Sequence, residues 1–474
     1  MDWPIFVGGL WRQTATALAV RNPYDGSQVG QTWLAGPDEL EAATAAAVAA
    51  APTMAALPAY ERAAMLRRVS AALMSNLDAL ARTLAGEAGK PIKDARTEVE
   101  RASLTFGVAA DEAQRIGGDV LPMDLAAHGR ERIGLTRRVP IGPIAGIAPF
   151  NFPLNLVAHK LAPALASGNP IVLKPATRTP LSALALARLL DEAGVPRGGL
   201  SVLPLDRATG DRLVTDDRFK LLTFTGSAPV GWELKTRAGR KRVVLELGGN
   251  AGVIVHDDAD LDHAVARLVA GGFAYAGQSC ISVQRIYVHE RVFDDVRSRL
   301  VSAVGRLKLG DPLDPLTDVG PMIDEGEAAR VAEWVDEAVA AGARVLTGGK
   351  RVGPSSFEPT VLTDVPDHAK VCAEEVFAPV VALFPYRDFN SAIDALNRSR
   401  YGLQAGVFTA SLENTLRAFD RLNVGGVLIN DVPSYRIDHM PYGGVKDSGL
   451  GREGPRYAIE EMTEVRLLVI NRSR

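Results

Sequence analysis

Cysteine is scarce in this chain, with two residues among 474, and this excludes a disulfide framework. The scarcity is typical of a reducing compartment, so we expect a cytoplasmic location. The seven histidines are scattered and show no His-Glu-x-x-His spacing, and the cysteines show no Cys-x-x-Cys spacing. The sequence therefore predicts no metal centre.

An excess of positive charge and long apolar runs are also lacking. Lys and Arg number 53 against 56 Asp and Glu, and the formal net charge is −3. There is thus no basic excess to attract nucleic acid or anionic lipid. No apolar run approaches the length of a membrane span, and Met1–Pro4 does not begin a signal peptide. We expect a small-molecule partner, with no nucleic acid and no membrane.

What the sequence does have is a regular pattern of apolar and charged residues. A chain of 474 residues with 47% hydrophobic content is expected to form two or three domains. Residues 1–36 look irregular or extended, whereas 38–50, 59–85 and 92–115 are rich in Ala and Leu and predict three helices. Residues 132–139 alternate apolar and polar side chains, which predicts a half-exposed strand.

Strands and helices then alternate, starting at residue 142. The first block has predicted strands at 142–148, 171–174, 200–203, 221–224 and 243–247. A second block has predicted strands at 253–255, 285–288, 380–384, 405–408 and 426–429. The last strand, 464–470, is too apolar for a free edge, so we expect it to pair with 132–139 or with a second subunit. This pattern predicts an α/β fold with parallel sheets covered by helices on both faces.

Cys280 follows a segment with apolar residues at helical spacing, and Gly277 is predicted to end that helix. A strand follows at 285–288. A cysteine on such a turn can be aimed by rigid neighbours without being buried by them. From this stretch alone, a nucleophile and a packed core thiol are both open interpretations. We interpret the second cysteine, Cys372, as a packing residue because no neighbour in the sequence would activate its thiol.

Polar residues stand at the ends of the strands of the first block, where parallel sheets bind ligands. Asn151 can aim its amide at an oxyanion or cap the next helix. Lys174 can bond ribose hydroxyls or be a solvated strand-end lysine. Gly226 and Ser227 form a turn before a helix, suited to a pyrophosphate or to an ordinary helix cap. Glu246 ends an apolar strand, where burial would raise its pKa and make it a usable general base.

The ordinary dinucleotide fingerprint, G-x-G-x-x-G after a strand, is absent. Glu375 and Phe377 offer a different feature, because an acceptor next to an aromatic ring could hold a ribose and a flat ring. Each of the two residues taken alone would be structural.

Together these segments resemble the aldehyde dehydrogenase superfamily over nearly the whole chain. Seven motifs in family order carry the resemblance: Pro149-Phe150-Asn151-Phe152-Pro153, Lys174-Pro175-Ala176, Phe224-Thr225-Gly226-Ser227, Glu246-Leu247-Gly248-Gly249-Asn250, Gly277-Gln278-Ser279-Cys280, Glu374-Glu375-Val376-Phe377-Ala378-Pro379 and Pro441-Tyr442-Gly443-Gly444-Val445-Lys446-Asp447-Ser448-Gly449. The resemblance implies two Rossmann-like parallel α/β domains plus a small β oligomerisation arm, in a homodimer or homotetramer. The implied boundaries are an NAD(P)-binding domain at 1–118 and 140–248, a catalytic domain at 249–450, and the arm at 119–139 and 451–474.

The resemblance also implies a mechanism in which the Cys280 thiolate attacks an aldehyde. Asn151 and the backbone N–H of Cys280 would hold the oxyanion, and Glu246 would activate the water that releases the acid. In such families Lys174 contacts the adenosine ribose, Ser227 the pyrophosphate and Glu375 the nicotinamide ribose. The remaining predicted cofactor contacts are Pro149, Phe150, Thr177, Arg178, Gly226 and Phe377.

One position departs from the pattern of members that prefer NAD. Those members often carry a Glu three residues after the lysine, where this chain has Thr177 followed by Arg178. A carboxylate there would repel a 2′-phosphate, whereas Thr plus Arg tolerates or attracts it. The sequence therefore predicts a preference for NADP, or the use of both cofactors.

The expected substrate is a short aldehyde with an anionic tail, such as succinate semialdehyde. Arg436 lies in a segment that the family places at the substrate mouth, and Arg101 is a possible second clamp, although each can be a surface arginine. The motifs look nearest to a branch with succinate-semialdehyde and phosphonoacetaldehyde dehydrogenases, and with non-phosphorylating glyceraldehyde-3-phosphate and lactaldehyde dehydrogenases close by. Two other hypotheses are a cysteine acyl-transfer enzyme or esterase without a nicotinamide, and a catalytically idle member of the fold.

Overall fold

The computed structural model describes residues 2–472. Four short strands and four long helices come first. They are β1 (Ile5–Val7), β2 (Leu10–Arg12), β3 (Ala17–Arg21), β4 (Gln28–Trp33), α1 (Pro37–Ala56), α2 (Ala59–Ser75), α3 (Leu77–Ala88) and α4 (Ile92–Ala113).

One of the expectations for this region is wrong. Residues 1–36, expected to be irregular or extended, contain the extended strands β1 to β4. The helix expected at 59–85 is two helices, because the chain leaves the helical conformation at Asn76 (φ −109°, ψ 17°). The Asn76 side-chain amide donates to the Ala72 carbonyl at 2.8 Å, a local bond by which Asn competes with helix continuation.

The next elements build the first sheet. They are β5 (Val120–Leu121), β6 (Arg132–Pro140), β7 (Ile144–Ile147), α5 (Asn155–Ala166), β8 (Ile171–Lys174), α6 (Leu181–Glu192), β9 (Leu200–Val202), α7 (Arg207–Thr215), β10 (Leu221–Thr225), α8 (Ala228–Arg237) and β11 (Arg242–Glu246).

The rest of the chain builds a second sheet and the closing segments. These elements are β12 (Ala251–Val255), α9 (Leu261–Phe273), β13 (Val283–His289), α10 (Phe293–Val304), α11 (Glu325–Ala340), β14 (Arg344–Thr347), β15 (Thr360–Thr363), α12 (Lys370–Ala373), β16 (Val380–Tyr386), α13 (Phe389–Asn397), β17 (Tyr401–Gly402), β18 (Gln404–Phe408), α14 (Leu412–Arg421), β19 (Gly426–Ile429), β20 (Val445–Lys446), β21 (Gly449–Leu450), α15 (Pro455–Glu461) and β22 (Thr463–Asn471).

Within the described residues, the two large sheets have the orders β2-β1-β9-β8-β7-β10-β11-β21 and β14-β15-β16-β13-β12-β18-β19. Strands β7 to β11 are mutually parallel, as are β12, β13, β15, β16, β18 and β19. The central strands are apolar and buried because helices cover both faces. The α/β prediction is therefore confirmed. The short strands β14 and β15 were not predicted.

The last strand pairs with the half-exposed strand, as predicted. β22 runs antiparallel to β6 from Thr463 opposite Pro140 to Asn471 opposite Arg132, and β5 extends this small sheet. Both faces of β22 carry exposed apolar side chains, namely Val465, Leu467, Leu468, Val469 and Ile470. The domain boundaries stay a prediction.

No single helix in residues 2–472 has both the length and the apolar character needed to cross a bilayer. One bent pair, Pro37–Ala56 with Ala59–Ser75, meets that test by length and composition alone.

Candidate active site

Cys280 lies in the loop between α9 and β13. Helix α9 ends at Phe273, so the expectation that Gly277 ends it is wrong by four residues. The chain turns instead through Tyr275 and Ala276, both left-handed at φ 49° and 53°. Each such non-glycine residue costs about 1–2 kcal/mol, so surrounding contacts must fix this turn. The Tyr275 hydroxyl donates to the Ala88 carbonyl at 2.9 Å and supplies one of them.

The thiol of Cys280 lies 2.9 Å from the Tyr442 hydroxyl. Burial raises the pKa of Cys280 to about 12, while the Tyr442 hydrogen bond acts in the opposite direction. Cys372, in contrast, is buried in the core of the second sheet, as expected of a packing residue. Only Cys280 opens onto the cavities described below.

Asn151 and Glu246 reach the same place from the first sheet. Asn151 follows β7, is buried, and its amide donates to the Gln278 carbonyl at 3.0 Å. Glu246 ends β11, and neither carboxylate oxygen has a hydrogen-bond partner among the described residues. Burial, together with the nearby charge of Glu453, raises the pKa of Glu246 well above its ordinary value. The structure therefore brings together an amide, a carboxyl and a thiol from distant parts of the sequence.

Two cavities meet at Cys280. The smaller, about 200 Å³, is lined on one side by Arg101, Phe152 and Arg436. The larger, about 580 Å³, runs between the two sheets. Cys280 and Tyr442 line both cavities. A carbonyl compound entering from one side would thus meet the same sulfur as a second molecule lying on the other.

The larger cavity collects most of the predicted cofactor contacts. Pro149, Phe150, Gly226, Ser227, Glu375 and Phe377 line it. Lys174, which ends β8, and Thr177 and Arg178, which follow it, do not line this cavity. Burial lowers the pKa of Lys174, and Thr177 contacts the Leu205 carbonyl at 3.4 Å. Arg178 pairs with Asp324 at 2.8 Å in a side chain that is 60% exposed.

The start of α8 is suited to an anion. Ser227 precedes the helix in extended conformation, and its side chain makes no capping bond within residues 2–472. The backbone N–H groups of the first turn are therefore not satisfied by that hydroxyl, and they carry the positive end of the helix dipole. This favours the anion-site interpretation of Ser227 over the ordinary cap.

Glu375 lies next to Gly249, the second glycine of the motif Glu246-Leu247-Gly248-Gly249-Asn250. Its Oε1 accepts from the Gly249 N–H at 2.9 Å, and burial raises the pKa of Glu375 to about 7. A Cβ at Gly248 would lie 2.1 Å from Glu375 Oε2, so a larger residue there would displace the Glu375 carboxylate. The ring of Phe377 stands edge-on to Phe150, with centroids 5.9 Å apart.

Arg436 is not a surface residue, since its side chain is 6% exposed. Its Nη2 donates to Glu453 at 2.9 Å and contacts His159 Nε2 at 3.1 Å. The guanidinium stacks on the Tyr442 ring at 3.7 Å. Its Nε is buried and has no partner in the described part of the chain.

Arg101 is partly exposed and already engaged. It donates from Nε and Nη2 to the carboxylate of Asp438, at 3.1 and 2.8 Å. Asn155 and His159 contact the same carboxylate at 3.0 and 2.8 Å. Burial alone would raise the pKa of Asp438, but the bond from His159 and the charge of Arg101 hold it well below its ordinary value.

Sequence reasoning missed the residues that hold these arginines. Asp438, His159, Lys160 and Glu453 are all buried and charged or polar. His159 and Lys160 lie inside the buried helix α5, where no local pattern distinguishes them from surface positions. Tyr442 and Asp438 stand in or beside the last motif, which was the one available signal.

The comparisons with known proteins cover almost the whole chain. The profile of the Aldehyde dehydrogenase family matches residues 11–468. A 3-sulfolactaldehyde dehydrogenase of Priestia aryabhattai is 46% identical over 471 residues, covering 99% of this chain and 98% of that protein. The succinate-semialdehyde dehydrogenase of Escherichia coli strain K12, whose name specifies NADP(+), is 40% identical and covers 98% and 97%. The crystal structure of aldehyde dehydrogenase 21 from Physcomitrella patens, in complex with the reaction product succinate, has a TM-score of 0.97 and 49% identity and covers 99% and 98%.

Proposed function

We propose a substrate and a mechanism from the premise that the chain belongs to the aldehyde dehydrogenase family and oxidises aldehydes to carboxylic acids. The substrate is a short aldehyde with an anionic tail, of which succinate semialdehyde is the first candidate. 3-Sulfolactaldehyde, phosphonoacetaldehyde, glyceraldehyde-3-phosphate and lactaldehyde are the alternatives.

The unpartnered Nε of Arg436 carries this proposal. A buried donor without an acceptor costs free energy, of the order of 1–3 kcal/mol, and a carboxylate or sulfonate oxygen would remove that cost. Arg436 lines the cavity of about 200 Å³ that also contains Cys280, so one small molecule can contact both. Arg101 lines the same cavity, but Asp438 already balances its charge, so Arg436 is the principal candidate clamp.

The relatives support an anionic tail. The names of the Priestia and Escherichia relatives specify a sulfonated aldehyde and a carboxylated one. The Physcomitrella structure contains succinate, a product with a carboxylate at each end. One site chemistry, a buried guanidinium at a fixed distance from a thiol, would serve either anion.

The proposed mechanism assigns a role to each residue around the sulfur. Cys280 gives up its proton to Glu246, which passes it to solvent before the water step, and the sulfur forms a bond to the carbonyl carbon. The carbonyl electron pair moves to oxygen, where Asn151 and the backbone N–H of Cys280 donate to it. Bound NAD(P)+ supplies the acceptor for the hydride, and a thioester on Cys280 remains. Glu246 then takes a proton from water, whose oxygen attacks the thioester and releases the acid and the thiol.

The larger cavity fits a dinucleotide, and we propose that NADP is preferred or that both cofactors are used. Ser227 and the first turn of α8 would hold the pyrophosphate, Glu375 the nicotinamide ribose and Lys174 the adenosine ribose. Thr177 and Arg178 would contact the 2′-phosphate. The exposed pair between Arg178 and Asp324 is worth about 0–1 kcal/mol, so a phosphate can replace it. The NADP(+) in the name of the Escherichia relative supports this assignment.

The exposed apolar strand β22 supports a homodimer or homotetramer, because an apolar strand of nine residues is a poor free edge. A cytoplasmic location also stays a prediction, and it rests on the scarcity of cysteine.

A matched substrate panel tests the proposed function. Reduced-cofactor formation is measured with succinate semialdehyde, 3-sulfolactaldehyde, phosphonoacetaldehyde and uncharged propanal, each with NAD and with NADP. We expect kcat/KM to be highest for an anionic aldehyde with NADP. A preference for propanal would reject the anionic tail, and a strong NAD preference would reject the cofactor assignment. Failure to reduce either cofactor would favour acyl transfer or an idle protein.

A further inference from the structure

The second sheet brings two histidines together at the end remote from Cys280. β12 and β13 are parallel neighbours with Val255 opposite Val288, so the residues that follow, His256 and His289, lie side by side. Their rings are 5.1 Å apart between centroids. Asp257 follows directly, and ligand atoms of the three residues all lie within 4.8 Å of one another. Strand pairing forms this cluster, so metal-ligand spacing along the sequence could not reveal it.

The position is one at which α/β sheets bind ligands. Helices α9 and α10 pack on one face of the second sheet, and α13 and α14 pack on the other. The strand connections thus diverge between β12 and β18, which makes the carboxyl end of β12 a topological switch point. The His256 N–H donates to the Phe408 carbonyl at 3.0 Å and fixes this loop against the end of β18.

The hydrogen bonds hold the three side chains close together. The backbone N–H of Arg291 donates to His289 Nδ1 at 3.3 Å, so that nitrogen carries no proton, and a metal ion would have to replace this long bond to use its lone pair. The same Nδ1 lies 3.8 Å from Asp257 Oδ2, which makes it an acceptor facing an acceptor. His256 Nε2 lies 3.3 Å from Asp257 Oδ1, while its Nδ1 is 2.8 Å from the hydroxyl of Tyr386. When His256 Nδ1 donates its proton to that hydroxyl, Nε2 keeps its lone pair for a metal ion, and the hydrogen bond at the far nitrogen orients the ring.

A cation already relieves part of this electrostatic cost. Arg291 Nη1 donates to Asp257 Oδ2 at 3.0 Å from a side chain that is 77% exposed. An arginine so exposed can leave at little cost, because exposed ion pairs contribute about 0–1 kcal/mol. The carboxylate is then free for another cation.

We propose that His256, Asp257 and His289 form a binding site for a divalent ion of the zinc class. Two imidazoles and one carboxylate suit Zn²⁺, and water would complete a tetrahedral shell. Binding would displace the Arg291 guanidinium from Asp257 and link the ends of β12 and β13. Because Cys280 precedes the other end of the seven-residue strand β13, the site lies roughly 20 Å from the thiol. It is a stabilising site and takes no part in aldehyde oxidation.

Zinc binding to untagged full-length protein tests this proposal. Titration calorimetry with ZnCl₂ is performed on a Cys280→Ser background, which removes the catalytic thiol as a competing ligand. We expect one Zn²⁺ per chain, a raised Tm with zinc, and a Co²⁺ absorption spectrum typical of tetrahedral coordination. Absence of stoichiometric binding would overturn the site.

Single substitutions locate the bound ion. Asp257→Asn and His256→Phe should abolish stoichiometric binding, while Tyr386→Phe should weaken it roughly 10- to 100-fold. Arg291→Gln should strengthen binding, because it removes the competing cation, and a purely structural role for this cluster would not produce that gain.

The matched control is His368→Gln, which removes an exposed histidine elsewhere on the chain and should leave the affinity unchanged. If the His256→Phe protein does not fold, zinc binding by the Asp257→Asn protein tests the site on its own. Retention of binding in a folded Asp257→Asn protein would contradict the proposal.

Discussion

Replacement of Arg436 by Ala is the sharpest test of substrate recognition. In the structure its guanidinium stacks on Tyr442, donates to Glu453 and leaves Nε buried without a partner among residues 2–472. A charge-assisted bond to a substrate anion contributes about 1.5–3 kcal/mol, and a forked pair somewhat more. We therefore expect kcat/KM for succinate semialdehyde to fall roughly 10- to 200-fold, chiefly through KM.

The substitution also removes a partner of Glu453, and breaking a buried ion pair costs about 3–5 kcal/mol of stability. That effect is independent of the substrate, so propanal serves as the internal control. We expect kcat/KM for propanal to change far less. Equal losses for the two aldehydes would refute the clamp and would leave Arg436 a structural residue.

Two further variants refine this test. Arg436→Lys keeps the charge but loses the fork and the Nε donor, so it should recover only part of the discrimination between the aldehydes. Arg398→Gln changes an arginine with an exposed side chain that pairs with Asp367 at 3.5 Å, and it should leave both substrates unaffected. The assay is steady-state formation of reduced cofactor, with Tm measured for each variant.

The remaining predictions concern the base, the cofactor and the arm. Burial raises the pKa of Glu246 well above that of an ordinary Glu. Below that pKa the base is protonated and cannot activate water, so turnover should fall as the pH falls through it. Glu246→Gln should lack this limb and release one equivalent of reduced cofactor in a burst; a linear time course would contradict it. Thr177→Glu should reduce kcat/KM for NADP relative to NAD at least about tenfold, and an unchanged ratio would reject the assignment. Leu467→Glu with Val469→Glu should shift light-scattering mass to a smaller species, whereas Leu412→Glu on α14 should not.

The parallel strands could be predicted because they are buried on both faces and therefore read as short apolar runs. The strands that were missed have a weaker signal. β14 and β2 are largely exposed, whereas β1 and β15 are buried but only three and four residues long. The break at Asn76 was missed because apolar spacing continues across it, and only a side-chain bond to the preceding turn marks the end of the helix.

The candidate site also contains residues that the sequence could predict and residues that it could not. Asn151, Ser227 and Glu246 follow strands, so the topology of a parallel sheet was enough to predict that they meet. Their supporting residues were not predictable, since a buried His159 or Glu453 has the same sequence appearance as a solvated one. The pair His256 and His289 was equally unpredictable, because strand register rather than sequence spacing brings these two residues together.

The charges around Cys280 constrain how the nucleophile forms. Burial raises the pKa of the thiol to about 12, and the carboxylates of Glu375 and Glu246 add to that effect. Arg436 opposes it, but a bound substrate anion would neutralise Arg436. Thiolate and ionised Glu246 would then be two buried negative charges with little compensation, which is the costlier state. A single proton shared between Cys280 and Glu246 avoids that state. The sulfur can thus become nucleophilic when Glu246 is protonated, and Glu246 regains its basic form for the attack of water once the thioester has removed the charge on sulfur. On this argument the pH profile of the enzyme belongs to the pair and not to either residue.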